Sequence, residues 1–149
     1  MSSTSISTSA LLERLFKTGN VVRFIRHFDR EMKQTSLCEY LACLCVEKSV
    51  IPEHVINRAG IERTYGHQIF NGRRKPSRDK TLQLALGFGL TFAETQELLR
   101  VAHRNPLYPK IKRDVIVIFA LENGLCIDDV QATLWELSLP GLGKEERDG

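Results

Sequence analysis

The chain has 149 residues, 42% of them apolar and 26% charged, with 21 Lys and Arg against 18 Asp and Glu. That length fits one compact domain, or a small domain with a helical extension, and the balance is ordinary for a protein that buries a core. Its longest strictly apolar run, Val115 to Leu121, falls far short of the roughly twenty residues a membrane helix needs. The uncharged, Ser/Thr-rich start from Met1 to Ser9 lacks the basic and apolar segments of a signal peptide. The expectation is a cytoplasmic protein that neither spans a membrane nor is secreted.

Few features argue for strands; the sequence predicts short amphipathic helices split by Gly, Pro and Asn. After the Ser/Thr tail come Ala10 to Lys17 and Val21 to about Lys33, parted by Gly19-Asn20. Ser36 to Lys48 follows, with Leu37, Tyr40, Leu41, Leu44 and Cys45 on one face. Pro52 suits a first helical turn and opens Pro52 to Ala59, which Gly60 stops. A helix from about Glu62 to Phe70 ends at Asn71-Gly72, and the basic loop Arg73 to Arg78 leads into Asp79 to Phe88. Thr91 with Glu94 forms a capping box for Phe92 to Ala102. Beyond Pro106 and Pro109, Lys110 to Asn123 and Asp128 to Leu137 form a second pair, and the tail from Gly141 is expected to fray.

The last two helical pairs look related. An offset of 35 residues superposes Arg78-Asp79 on Arg113-Asp114, Ala85-Leu86 on Ala120-Leu121 and Gly89-Leu90 on Gly124-Leu125. It also matches Gln96 with Gln131 and Leu99 with Leu134. The pattern reads as a repeated hairpin with a left-handed Gly at the corner and a Leu tucked beneath it, the second copy stacked on the first.

Charge is unevenly spread. Arg58 to Lys80 holds seven basic residues against Glu62 and Asp79, whereas Asp114 onward holds eight acids against Lys144 and Arg147. One basic segment in a near-neutral chain suggests a local polyanion site. The four cysteines (Cys38, Cys43, Cys45, Cys126) and four histidines (His27, His54, His67, His103) lack zinc-ligand spacing. The cysteines are expected to pack in the core, and no metal or cofactor is expected. Gly87-Phe-Gly89 lacks the third glycine of a dinucleotide loop, and no catalytic constellation is visible, so an enzyme is not expected.

The informative stretch is Val55 to Gly72. Two short helices meeting at Gly60 make a helix-turn-helix: a glycine allows the sharp turn, Ile61 plugs the corner, and Ile69 and Phe70 anchor the second helix. Arg63, Thr64, His67, Gln68 and Asn71 are left outward, able to hydrogen-bond base edges or phosphates. Arg73, Arg74 and Lys75 follow at once as positioning contacts for the DNA backbone, while Arg78, matched to Arg113, is expected to hold a helix start.

On Gly60-Ile61, Ile69-Phe70-Asn71-Gly72, Arg74-Lys75-Pro76-Ser77 and Thr81-Leu-Gln-Leu-Ala85, the stretch from Leu37 to Ala102 resembles the lambda-repressor-like, xenobiotic-response-element-type regulators. Tyr65 to Arg78 and Leu107-Tyr108-Pro109 with Arg113-Asp114 also resemble small regulators of Gram-positive anaerobes. The resemblance implies a five-helix domain whose helix 62–70 lies in the DNA major groove. Base-reading sites then fall on Arg63, Thr64 and Gln68 with His67 between them, and phosphate sites on Asn71 and the loop at Arg74. Ile56 stands where the family has Ala, and Gly66 where it has a β-branched residue.

The sequence therefore predicts an all-α regulator, a repressor by resemblance, that binds double-stranded DNA. Its parts are a disordered tail 1–9, a helical extension 10–35, the helix-turn-helix domain 36–104, a helical hairpin 105–139 and a disordered tail 140–149. Base readers are Arg63, Thr64, His67 and Gln68; phosphate contacts are Asn71, Arg73, Arg74 and Lys75. Two surplus apolar segments, Leu11 to Phe28 and Leu125 to Leu139, make a homodimer possible. The alternative is a helix-turn-helix-fold adaptor that binds protein through Tyr65 and His67.

Overall fold

A computed structural model describes residues 6–143; the expectations for residues 1–5 and 144–149 lie outside that range. The described residues form ten helices and no strand, so the chain is all-α. They fall into two compact units divided after Gln34.

In the first unit, α1 (Thr8–Lys17) is capped by Ser7, whose hydroxyl accepts from the Ala10 N–H, so Thr8 and Ser9 are helical and not part of a tail. Asn20 caps α2 (Val21–His27) by accepting from the Arg23 N–H at 3.0 Å. The single helix expected to Lys33 breaks at Phe28 (φ −103°, ψ 25°), and α3 (Asp29–Met32) follows. At that break Phe28 is buried with its ring 4.8 Å from Phe24.

In the second unit, α4 (Leu37–Lys48), α5 (Pro52–Ala59), α6 (Arg63–Phe70), α7 (Arg78–Phe88) and α8 (Phe92–Val101) are followed by α9 (Lys112–Glu122) and α10 (Ile127–Glu136). Helix α7 lies at the centre: every residue from Thr81 to Phe88 is buried, which is how a helix enclosed by neighbours on all sides reads. Leu41 and Leu44 of α4, Val55 and Ile56 of α5, Ile69 of α6, Leu98 and Leu99 of α8, Val117 of α9 and Leu134 of α10 join it in one core.

The expectation that the cysteines pack in this core is wrong for Cys43 and Cys126, which are exposed; Cys38 and Cys45 are half-buried. Helix α4 turns a single stripe inward, around Leu41 and Leu44, and Cys43 falls off it. Cys126 is instead the N-cap of α10, with its thiol donating to Asp129.

The hairpin repeat is real in three dimensions. Gly89 (φ +74°) and Gly124 (φ +64°) turn both corners, and the Leu90 and Leu125 N–H groups donate back to the Ala85 and Ala120 carbonyls. The two Arg-Asp dipeptides exchange partners: Arg78 grips Asp114 through two nitrogens at 3.0 and 2.8 Å, and Arg113 grips Asp79 at 2.9 and 2.8 Å. Each arginine also donates to two carbonyls, Asn105 and Pro106 for Arg78, Pro140 and Gly141 for Arg113. The Tyr108 N–H then binds Asp114 and the Gly143 N–H binds Asp79. Gln96 and Gln131 complete the match, each amide bonding both backbone groups of Leu107 and Leu142 respectively. Residues 140–143 are therefore fastened, with Leu142 buried, and do not belong to the frayed tail that the sequence reading began at 140.

Burial alone pushes the Asp79 carboxyl up. The Arg113 hydrogen bonds, the Gly143 N–H and the Arg113 and Arg78 charges outweigh it, so the group sits below the ordinary aspartate range.

Candidate nucleic-acid interface

Helix α5 ends at Gly60 in the left-handed conformation (φ +70°), where a side chain would be strained. The Gly60 and Ile61 N–H groups close the turn on the Asn57 and Ile56 carbonyls, both at 3.2 Å, and Ile61 is buried in the corner. Glu62 then caps α6, its carboxylate accepting from the Thr64 N–H at 2.8 Å and the Tyr65 N–H at 3.0 Å. Those bonds hold the Glu62 carboxyl below its usual range.

Ile69 fixes the inner side of α6, and the Phe70 ring lies 6.2 Å from that of Phe88 on α7. Gly66 faces Ile56 of α5 so closely that a Cβ there would lie 2.5 Å from the Ile56 Cγ2. Ile56 thus occupies the volume that a side chain at position 66 would need.

Six of the eight candidate site residues are exposed: Arg63, Thr64, Asn71, Arg73, Arg74 and Lys75; His67 and Gln68 are half-buried. Four of them form two pairs. On one side Glu53 of α5 draws Arg63 and His67 together: Arg63 Nε donates to both carboxylate oxygens (3.2 and 3.1 Å), and His67 Nε2 lies 2.9 Å from one of them. The hydrogen bond with His67, then that from Arg63, keeps the exposed Glu53 carboxyl below its usual range. On the other side Gln68 accepts from Arg74 Nε at 3.0 Å, and the Arg74 guanidinium stacks 4.5 Å from the Tyr65 ring centre, with Lys80 Nζ 5.5 Å from it.

The loop after α6 is pinned. Asn71 Oδ1 accepts from the Arg73 N–H, and the Arg73 and Arg74 N–H groups both donate to the Gln68 carbonyl. Pro76 is buried, and Arg104 grips its carbonyl at 3.1 and 2.8 Å. Ser77 caps α7. Three cations are thereby presented on a backbone tied at both ends. Arg78 stands apart, committed to Asp114 and two carbonyls as a helix-start anchor.

Sequence reasoning missed Glu53. It stands ten residues before Arg63 and fourteen before His67, across the Gly60 turn that breaks the helical register, and only the α5–α6 crossing makes them neighbours.

Among the described residues no group of His, Cys, Asp and Glu is arranged to hold a metal ion, and no helix is long and apolar enough to cross a membrane. No protein-family model matches the chain, and no curated protein or solved structure matches it either.

Proposed function

We propose that the chain is a sequence-specific DNA-binding transcriptional regulator. Helix α6 enters the major groove, with Arg63, Thr64, His67 and Gln68 toward base edges and Asn71, Arg73, Arg74 and Lys75 on phosphates. One observation carries the reading: the outward residues of α6 run directly into three exposed cations on a pinned loop, bonded back to the helix through the Gln68 carbonyl. A rigid cationic ridge beside a protruding helix is what groove docking requires. Repression rather than activation is taken from the resemblance alone.

A second reading has its own observation. Glu53 already satisfies Arg63 and His67, and Arg74 is stacked on Tyr65, so this face is internally paired, as suits an adaptor that contacts protein.

A single helix-turn-helix spans too few base pairs for specific affinity of about 10⁻⁸ M, so we infer a homodimer across two half-sites. The 35-residue offset indicates where it would form. Phe119 stands where Leu84 lies fully buried, yet it is 60% exposed, and Trp135 on α10 is 82% exposed. Among the described residues that apolar outer face is left exposed.

Selection of bound sequences from random duplexes, with affinity followed against salt, tests the proposal. A regulator enriches a two-part site and loses affinity with a log–log slope of about −0.9 per phosphate neutralised. No enrichment and no salt dependence would leave the adaptor reading.

A further inference from the structure

A cavity of about 380 Å³ opens where the helix-turn-helix turn meets the corners of both hairpins. That volume is at the lower end of the roughly 300–1,000 Å³ typical of small-molecule sites. Its floor is aliphatic, formed by Leu86, Leu90, Leu121 and Ile127, all buried. Its edge carries two opposite charges, Arg58 at the end of α5 and Asp128 in the first turn of α10.

Outside the loop Arg73–Lys75, several arginines of this unit are spent on carboxylates and carbonyls, as Arg63, Arg78, Arg104 and Arg113 are. Neither Arg58 nor Asp128 has an ion-pair or hydrogen-bond partner among the described residues, and they do not bridge each other. Helices α5, α7 and α9 all end beside the cavity, at Gly60, Gly89 and Gly124.

Two separated opposite charges over an aliphatic floor complement a molecule with the same three features. We propose that this cavity binds a small zwitterion with an aliphatic body, of the aliphatic α-amino-acid class. The carboxylate meets the Arg58 guanidinium in a forked, charge-assisted contact. The ammonium meets Asp128, and the aliphatic part lies on Leu86, Leu90 and Leu121. Its position gives binding a consequence that rests on the regulator reading. Ile127 in the floor is also the side chain nearest Gly60, where a Cβ would lie 3.6 Å from its Cγ2, so a ligand pressing on Ile127 bears on the turn that aims α6.

The test uses the full chain without DNA, so its failure is separate from a failure of DNA binding. Calorimetric titration and thermal melting are run with L-leucine, with 4-methylpentanoate, which lacks the ammonium, and with 3-methylbutylamine, which lacks the carboxylate. Leucine is expected to bind and to raise Tm. Each half-ligand is expected to bind at least tenfold more weakly, and Arg58→Gln and Asp128→Asn each to weaken leucine about tenfold, as loss of a charge-assisted hydrogen bond demands. Both substituted side chains are exposed, so circular dichroism and melting should show the fold kept. No heat and no Tm change with leucine up to about 10 mM, where even a millimolar Kd registers, would overturn the proposal. So would equal leucine affinity in both variants, or a half-ligand binding as tightly as leucine.

Discussion

Replacing Gly66 by Ala tests the packing that sets the angle of α6. Helix propensity alone favours Ala by about 1 kcal/mol at an interior position. The new methyl would meet three Ile56 carbons at 2.5, 2.7 and 2.9 Å, all inside the distance real contacts reach. Ile56 is branched at Cβ and 2% exposed, so it cannot swing into solvent. Overpacking of this kind costs about 1–3 kcal/mol. Taken from the upper half of that range, because the neighbour cannot yield, the net loss is about 1–2 kcal/mol, or a Tm fall of roughly 4–8 °C. The decisive measurement is the same substitution in an Ile56→Ala background. Ile56→Ala costs about 2–5 kcal/mol by itself, but it removes the obstructing atoms, so adding Gly66→Ala should now stabilise by about 1 kcal/mol. Urea melts of the four proteins give the double-mutant cycle. If Gly66→Ala stabilises the parent chain, or shifts stability equally in both backgrounds, Ile56 does not hold α6 where we describe it.

Arg113→Ala should cost about 3–5 kcal/mol, because it leaves the Asp79 carboxylate buried without its partner; chemical denaturation measures it, and a loss below about 1 kcal/mol would contradict the reciprocal clamp. Since the folded Asp79 pKa lies below its unfolded value, its contribution is present above about pH 4 and disappears as pH falls through the lower folded value. Asp79→Asn should therefore lose stability at neutral pH and show a shallower acid decline than the parent. Glu53→Gln frees Arg63 and His67 and removes a negative charge beside α6, so under the proposed function affinity for random duplex DNA should rise; a fall would mean that Glu53 positions these residues for binding. Phe119→Ser with Trp135→Ser should convert a dimer to monomer in sedimentation without changing Tm much, both side chains being exposed; unchanged sedimentation of a dimeric parent moves the interface elsewhere.

Local chemistry made the helices readable. Pro52 and Gly60 bracket α5, Ser36, Ser77 and Thr91 cap the helices that follow them, and Gly89 and Gly124 close the corners, because each of these acts within four residues of its own position. The exposure of Arg63, Thr64 and the loop Arg73–Lys75 was legible for the same reason: periodicity separates the anchored face of α6 from the other. The offset between the hairpins was legible too, as repeated residue types, but not its purpose. The sequence aligns Arg78-Asp79 with Arg113-Asp114; only the packing of α7 beside α9 makes each arginine serve the other copy's aspartate and fasten residues 140–143.

What periodicity cannot carry is distance between segments. Glu53 reaches Arg63 and His67, Ile56 fills the space above Gly66, and Gly87 admits the Val55 carbonyl, from which a Cβ would stand 2.6 Å away. Gly87 therefore serves a helix crossing. Each of these contacts joins two helices at a separation set by the core, so no single stretch of sequence contains it. Helix, cap and exposed face follow from short-range propensity and capping, which are written locally. The pairing of charges and the interlocking of Ile56 with Gly66 arise when side chains distant in the chain compete for one volume, and that competition exists only in the folded protein.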